Sequence, residues 1–549
     1  MSRMLRSFLL QLGAPLLFSA GLAASASGQD RPAAPHPEHA HTGTARLGTV
    51  EFKVECNAAA QADFNRAMAL YHSFVWPAAN AAFESVLKSD PTCGMAHWGR
   101  ALVILDNPFT WPANLAPKLN SVSAALDAAR AAGLKSQRER DYVDAVSTFV
   151  RDHEKVDHRT RLQAFDDAMA RLAERYPDDK EASILSALMT SANFNPADKT
   201  YANQLKAARI LEPLMRSDPD HPGVAHYTIH SYDYPPIAKH GVEAAKQYSK
   251  IAPDSPHAVH MPSHIFTRLG HWRESIDANR WSSRTASEET FDAHHAHDYM
   301  VYAHLQLAQD RAAREAFEKS RRMKLVDNFA AAYAYAAMPA RLALERSDWK
   351  EAMSLPLVPG PDVYPWKKYP QAEAVHAFAR GLGAARSGDA GAAREQQARL
   401  EALRAAAEEA RLGYWVEQIA IKAALVGSLA HCADGRTQEC IAGLRQAAAR
   451  EDATEKHAVT PGPIIPAREL LADILLASGQ ASQALVEYEA VLAKEPNRYR
   501  PTLGAARAAR AAGDQDRARD LFKRVAELGK DADTPRDGLE EARHALNRG

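Results

Sequence analysis

The chain has almost no net charge. Its 67 Lys and Arg face 68 Asp and Glu, leaving -1 over 549 residues, so nothing electrostatic argues for nucleic acid or an anionic membrane as partner. Aromatic residues are scarce at 7% while alanine is abundant, which favours closely packed helices over sandwiches or barrels. Beyond the first residues no apolar run approaches the ~20 residues that a membrane span needs. No C-x-x-C occurs, so neither a thioredoxin-like motif nor a Cys-rich zinc site is indicated. G-x-S-x-G, the P-loop, the Rossmann glycine fingerprint and H-E-x-x-H are also absent. Function must therefore come from a local constellation; nothing here argues for an enzyme, and an activity, if there is one, is expected to be metal-dependent.

Cysteine is limited to four residues, an even number that suits an oxidising compartment. The short-loop pairing is Cys56 with Cys93 and Cys432 with Cys440; other pairings and four buried thiols stay open. The N-terminus supports the same compartment. Arg3 and Arg6 precede an apolar run, and Ala24-Ser25-Ala26 offers an A-x-A cleavage site, so residues 1–26 read as a secretory signal and the mature protein as periplasmic or secreted. Residues 27–50 are rich in Pro, Ala and His, including His36, His39 and His41, and read as a disordered linker.

From Cys56 onward, Ala-rich amphipathic segments alternate with Asp-Pro, Gly and Asn, the pattern of successive helices. Gly479 and Gly513, Ala484 and Ala518, and Tyr488 and Phe522 are each 34 apart. A turn glycine, a small packing residue and a large packing residue at that period resemble the tetratricopeptide repeat, and residues 65–102 resemble it more loosely. The blocks HPGVAHYTIHSYDYPP and HAVHMPSHIFTRLG resemble exported bacterial proteins of this superfamily. The resemblance implies an all-α, right-handed solenoid of about eight to eleven helical hairpins, and it implies no activity. Expected divisions are repeats over 51–350, a Pro-rich bend over 351–370, repeats over 371–535 and a tail over 536–549. Pro177 to Pro219 spans 42 residues, which places an inserted loop near 193–200. Pro461, Pro463 and Pro466 forbid continuous helix, so that segment either crosses the surface or reaches into the groove.

The densest chemistry lies between residues 219 and 302. His226 and His260, His230 and His264, and His264 and Asp298 are each 34 apart, and within the first two units the histidines are four apart, sharing one helix face. Aligning Pro219 with Pro253 places His257, the His226/His260 pair, the His230/His264 pair and Asp233 on one stripe, with Ala225, Ile229 and Tyr232 on the packing stripe. In tetratricopeptide-repeat proteins the first stripe lines the concave groove, so the resemblance implies a groove rich in histidine. In the third unit a strict register brings His294 and Asp298 to the groove, and a register displaced by one turn brings Asp298 and Tyr302.

Two H-x-x-x-H pairs on neighbouring helices, roughly 8–10 Å apart, can converge on one ion. The expected ligands are His226, His230, His260 and His264, with Asp298 fifth, and Asp233, His257, Arg268, His294 and Tyr302 around them. Such donors suit Zn, Cu, Fe or Ni rather than Ca or Mg. Metal handling or a metal-dependent activity is the leading reading. A metal-free scaffold holding a protein or peptide in the groove is the alternative. His72 and His97, with Tyr71, Phe74 and Trp98, read as packing within the N-terminal hairpins.

Overall fold

Polar side chains and prolines start most of the helices. Asn57 accepts from the Ala60 amide at 2.9 Å and Asp179 from the Ala182 amide at 3.4 Å, satisfying donors that a helix start leaves without partners. Pro222, Pro256 and Pro370 occupy first helical positions, where the missing N–H costs nothing. Gly479 and Gly513 stop helices at φ of 75° and 86°, a left-handed conformation that glycine adopts without steric penalty.

A computed structural model describes residues 45–111 and 115–547. The expected signal at 1–26 and the His36, His39 and His41 tract lie outside the described residues. Among those described, every regular element is helical. The helices pair as hairpins: Ala58–His72 with Trp76–Ser89, Gly94–Leu105 with Ala116–Ala132, Gln137–Val150 with His158–Arg175, and Lys180–Ala192 with Ala202–Ser217. Next come Pro222–Tyr232 with Val242–Ile251, the broken helix Pro256–His260 and Pro262–Arg268 with Trp272–Thr285, Phe291–Gln306 with Asp310–Arg322, and Phe329–Leu344 with Trp349–Met353. Pro370–Arg386 with Ala390–Glu409, Gly413–Ala433 with Thr437–Asp452, Ala467–Ala477 with Ala481–Lys494, and Tyr499–Ala511 with Gln515–Leu528 complete the set. That makes twelve hairpins among the described residues, one more than the largest number expected, because the degenerate central units keep the build after losing the sequence pattern.

Cys56–Cys93 and Cys432–Cys440 are disulfides. Residues 193–201 form the inserted loop, without regular helix. Three expected boundaries differ. The linker does not extend to residue 50, because Leu47, Val50 and Phe52 are buried in the N-terminal core. The Pro-rich stretch 351–370 divides nothing, because Tyr364, Trp366 and Tyr369 lie inside one apolar cluster that runs from Ala308 to Ala542. The expected tail carries the helix Leu539–Asn547, with Leu539 and Ala542 buried.

The solenoid closes on itself. Trp272 Nε1 donates to Asn497 O at 2.7 Å, the Tyr499 amide to Gln306 Oε1 at 3.0 Å, and the Arg311 and Ala312 amides to the Asp533 carboxylate at 2.9 Å. Between the hairpins that end at Asp452 and begin at Ala467, residues 453–466 run across the concave side as a strap. Arg341 donates to Gly462 O at 3.0 Å and Pro463 O at 3.2 Å, and Arg268 donates to Pro461 O. Prolines suit this role: they cannot continue a helix, and their carbonyls remain free to accept.

Beside the strap, Arg498 is fully buried and bonds Glu345 at 2.6 Å and Glu495 at 2.9 Å, with Glu469 at 3.4 Å. Removing one partner of a buried charge network leaves the others uncompensated, at a cost of about 3–5 kcal/mol. Arg498→Ala should therefore lower the unfolding free energy, read from urea melts, by that amount. Arg404→Ala, which removes only surface pairs to Glu401 and Glu408, should cost less than about 1 kcal/mol. Equal shifts in the two variants would contradict a structural role for the network.

Candidate metal centre

The helix Pro222–Tyr232 carries His226 and His230, Pro256–His260 carries His257 and His260, Pro262–Arg268 carries His264, and Phe291–Gln306 carries His295. Pro262 has no N–H to donate, which interrupts the hydrogen-bonded helix at Met261. Met261 keeps helical angles of φ -54° and ψ -34°, so His260 and His264 retain one-turn spacing across the break. Ala225, Ile229 and Tyr232 lie in one apolar cluster with Ala244 and Ala245, as their stripe predicts, and Tyr248 of that cluster stacks on the His226 ring.

The imidazoles gather as two groups of three. One donor atom each from His226, His230 and His257 lie within 4.8 Å of one another, and so do those of His260, His264 and His295. The groups adjoin, with His230 and His264 rings 6.0 Å apart and His257 and His260 rings 6.2 Å apart. The expected single four-His centre is thereby corrected: each H-x-x-x-H pair takes its own third histidine. His257 belongs to the first group rather than around it. His295 was missed because it lies 35 residues after His260, one position off the repeat, and one residue turns a side chain by about 100° around a helix.

Four other expected residues sit elsewhere. Asp298 is not with the imidazoles: its carboxylate is 3.4 Å from Arg341 Nε, and burial raises its pKa to about 6 against the pull of that guanidinium. His294 bonds Ser320 Oγ at 2.8 Å and Lys324 O at 3.0 Å, a satisfied packing histidine. The Tyr302 ring faces Arg341 at 4.4 Å and its hydroxyl donates to Glu495 at 3.3 Å. Arg268 holds the strap, with Nε 3.7 Å from Asp233.

The partners of the Nδ1 atoms fix the tautomers. His226 Nδ1 is 2.6 Å from His72 O, an atom that can only accept, so Nδ1 bears the proton. His264 Nδ1 donates to Asp233 Oδ2 at 2.8 Å. His260 Nδ1 is 2.6 Å from Asn279 Oδ1, and the Asn279 amide is oriented by its donation to Ser275 O at 2.7 Å. In all three the lone pair is therefore on Nε2. His260 Nε2 and His264 Nε2 stand 3.0 Å apart, two lone pairs facing each other. The Tyr299 hydroxyl stands 3.4 Å from His264 Nε2. In the first group His226 Nε2 is 3.0 Å from His257 Nε2, and His230 Nε2 is buried without a hydrogen-bond partner.

Burial keeps these rings neutral. It lowers His226 to about 3 and His260 to about 4. His230, His257, His264 and His295 lie well below the usual imidazole value, from burial first and from their mutual repulsion when charged. Neutral imidazoles are the form that binds metal. The Nδ1–H bonds to carbonyl and carboxylate oxygens are the supporting contacts that orient metal-ligating histidines.

A third cluster looks similar and is saturated. Glu181 accepts from His72 Nε2 at 3.0 Å and His221 Nε2 at 2.8 Å, while His72 Nδ1 pairs with the Tyr227 hydroxyl at 2.8 Å. Its rings have partners on both sides, and it holds the strand of chain whose His72 carbonyl fixes His226. Phe74 stacks on His257 with ring centroids 5.3 Å apart, so the N-terminal hairpin supplies both packing and orientation. The strap completes the enclosure: Lys456 Nζ donates to Asp233 Oδ2 at 2.5 Å, and burial lowers Lys456 to about 8.

A family model for the tetratricopeptide repeat matches residues 475–536. No curated protein matches the chain. Among solved structures, the TPR domain of P58(IPK) aligns at 12% identity over 89% of this chain and 99% of its own, with a TM-score of 0.22. A tetratricopeptide repeat protein from Parabacteroides merdae ATCC 43184 aligns at 12% identity over 66% of this chain and 98% of its own, with a TM-score of 0.25. The human IFIT1 dimer with PPP-AAAA aligns at 11% identity over 84% and 89%, with a TM-score of 0.37. At these identities and scores the likenesses carry nothing about function. The chain is an all-α helical-hairpin solenoid that carries tetratricopeptide repeats at residues 475–536.

Proposed function

We propose that this is an exported protein that binds two transition-metal ions side by side, one at His226, His230 and His257 and one at His260, His264 and His295, and that the pair serves a metal-dependent activity. The observation that carries this reading is the 3.0 Å approach of two Nε2 lone pairs, His260 and His264, whose protons are committed to Nδ1. A cation between them turns that repulsion into coordination. At the usual metal–nitrogen length of about 2.0–2.1 Å, nitrogens so spaced subtend about 95° at a shared ion. Imidazole donors suit Zn, Cu, Fe or Ni. Three protein ligands leave a position for water or substrate, the arrangement of catalytic rather than closed structural sites, which favours an activity over storage. Export is supported by the signal-like residues 1–26 and by the two disulfides.

The second reading, a protein or peptide partner, is supported by the repeat build at residues 475–536. Near the histidines the concave side is covered by the strap, so a partner there would have to displace Lys456 from Asp233.

Protein purified without a His tag and reconstituted with Zn or Cu should hold about two ions per chain by elemental analysis. His260→Ala with His264→Ala should remove about one of them, and adding His226→Ala with His230→Ala the other. Less than about 0.2 ions per chain after reconstitution would end the metal reading.

The metal-free protein should be acid-labile. The unfolded chain protonates these histidines near 6.5, whereas folded His260 resists to about 4, so below pH 6.5 the unfolded state binds more protons. Stability is full above 6.5 and falls as the pH drops toward 4, by up to about 1.4 kcal/mol per pH unit for each such histidine. Urea midpoints at pH 7.5 and 5 should differ accordingly, and His260→Asn should narrow the gap. Equal midpoints at the two pH values would contradict neutral burial.

A further inference from the structure

Beside the first histidine group lies a cavity of about 280 Å³, and neither the repeat build nor the ligand set accounts for it. Its walls come from three distant parts of the chain. Phe109 and Trp111 contribute from the N-terminal hairpins, Phe194 and Tyr234 from the inserted loop and its neighbour, and Tyr414 and Trp415 from the C-terminal hairpins. Phe109 stacks on the His230 ring with centroids 3.9 Å apart, so the aromatic wall is continuous with the metal-ligating group.

Polar side chains stand among the aromatic ones, and several have buried atoms without a hydrogen bond. His230 Nε2, Asp233 Oδ1 and His158 Nδ1 are buried atoms without a hydrogen bond, and all three residues line the space. His230 is only 6% exposed. Arg159 and Arg411 also line it. Both are exposed, and neither makes an ion pair among the described residues, whereas Arg404, Arg450 and Arg468 are all paired with carboxylates. An aromatic-walled space with two uncommitted guanidiniums attracts one kind of molecule: a ring carrying an anionic group that a guanidinium can grip through two hydrogen bonds.

We propose that this cavity is the ligand site of the centre and that it takes a small aromatic anion, its ring against the aromatic wall beside His230 and its carboxylate or phosphate on Arg159 and Arg411. Placing an ion next to that ligand rests on the metal reading above; binding of the anion does not. The ligand thus reaches the open side of the first histidine group, while the second group lies behind it, covered by Asp233, Lys456 and Tyr299.

The test titrates metal-free and metal-loaded protein with 4-hydroxybenzoate and phenyl phosphate, following the fluorescence of Trp111 and Trp415 and confirming by calorimetry. Cyclohexanecarboxylate and phenol serve as controls for charge without a ring and ring without a charge. At least one aromatic anion should bind about tenfold or more tightly than both controls. The preferred one tells carboxylate from phosphate. Arg159→Ala with Arg411→Ala, both at exposed positions, should weaken that anion about tenfold and leave the controls unchanged. Binding to metal-free and loaded protein alike, or to loaded protein alone, supports the site. Failure of both anions to saturate either form at millimolar concentration, or equal binding of anions and controls, would overturn it. The ion count is measured separately, so loss of the metal reading and loss of this one are told apart.

Discussion

Asp233 is where the two halves of the molecule are tied together. Its carboxylate accepts from His264 Nδ1 at 2.8 Å and from Lys456 Nζ at 2.5 Å, with Arg268 Nε at 3.7 Å. His264 belongs to the sixth hairpin and Lys456 to the strap after the tenth, so one buried carboxylate holds an imidazole, a cationic strap residue and the arginine that grips the strap backbone. A charge buried alone would cost several kcal/mol. Here each charge is compensated only because the others are present. The strap stays in the groove for the same reason that His264 keeps its tautomer.

This arrangement changes what the repeat fold is doing. A solenoid of stacked hairpins leaves a concave face on which extended partners can lie. Here the chain lays its own Pro-rich segment along that face and meets its carbonyls with Arg268 and Arg341, side chains placed as they would be for a bound peptide. What the closed groove provides is enclosure. Six imidazoles shielded by the strap, Phe74, Phe109 and Tyr299 stay neutral far below the usual imidazole range, a state that open grooves do not impose.

The parts of this that were legible from the sequence are those set by local periodicity. The 34-residue spacing put His226 with His230 and His260 with His264 on one stripe, and Ala225, Ile229 and Tyr232 on the other, because neighbouring repeats of equal length hold equal positions in equal surroundings. The third unit broke that equality. One position of drift exchanged His294 for His295, and Asp298, which satisfied the spacing, went to Arg341 instead. Nothing in FDAHHAHDY marks which histidine faces inward, because each of its three histidines could coordinate and the helix is buried on every side. The strap was illegible for a different reason. Prolines at 461, 463 and 466 exclude helix, but where a non-helical segment docks depends on buried partners up to 254 residues away, and no local pattern encodes that.

The change from one four-histidine set to two three-histidine sets matters more than the exchange of a residue. Four imidazoles on one ion would fill a tetrahedral site and leave it inert. Three on each of two adjacent ions would leave positions to fill, and the two groups are not equally placed to fill them. His264 has Asp233 and Tyr299 against it, whereas His230 Nε2 has no protein partner and its ring forms part of a cavity wall. The asymmetry follows from the fold: the second group lies under the strap, and the first faces the gap between the N-terminal hairpins and the C-terminal ones. If both sites hold metal, the ion at His226, His230 and His257 would be the one beside the cavity, because only that group has a ring in its wall.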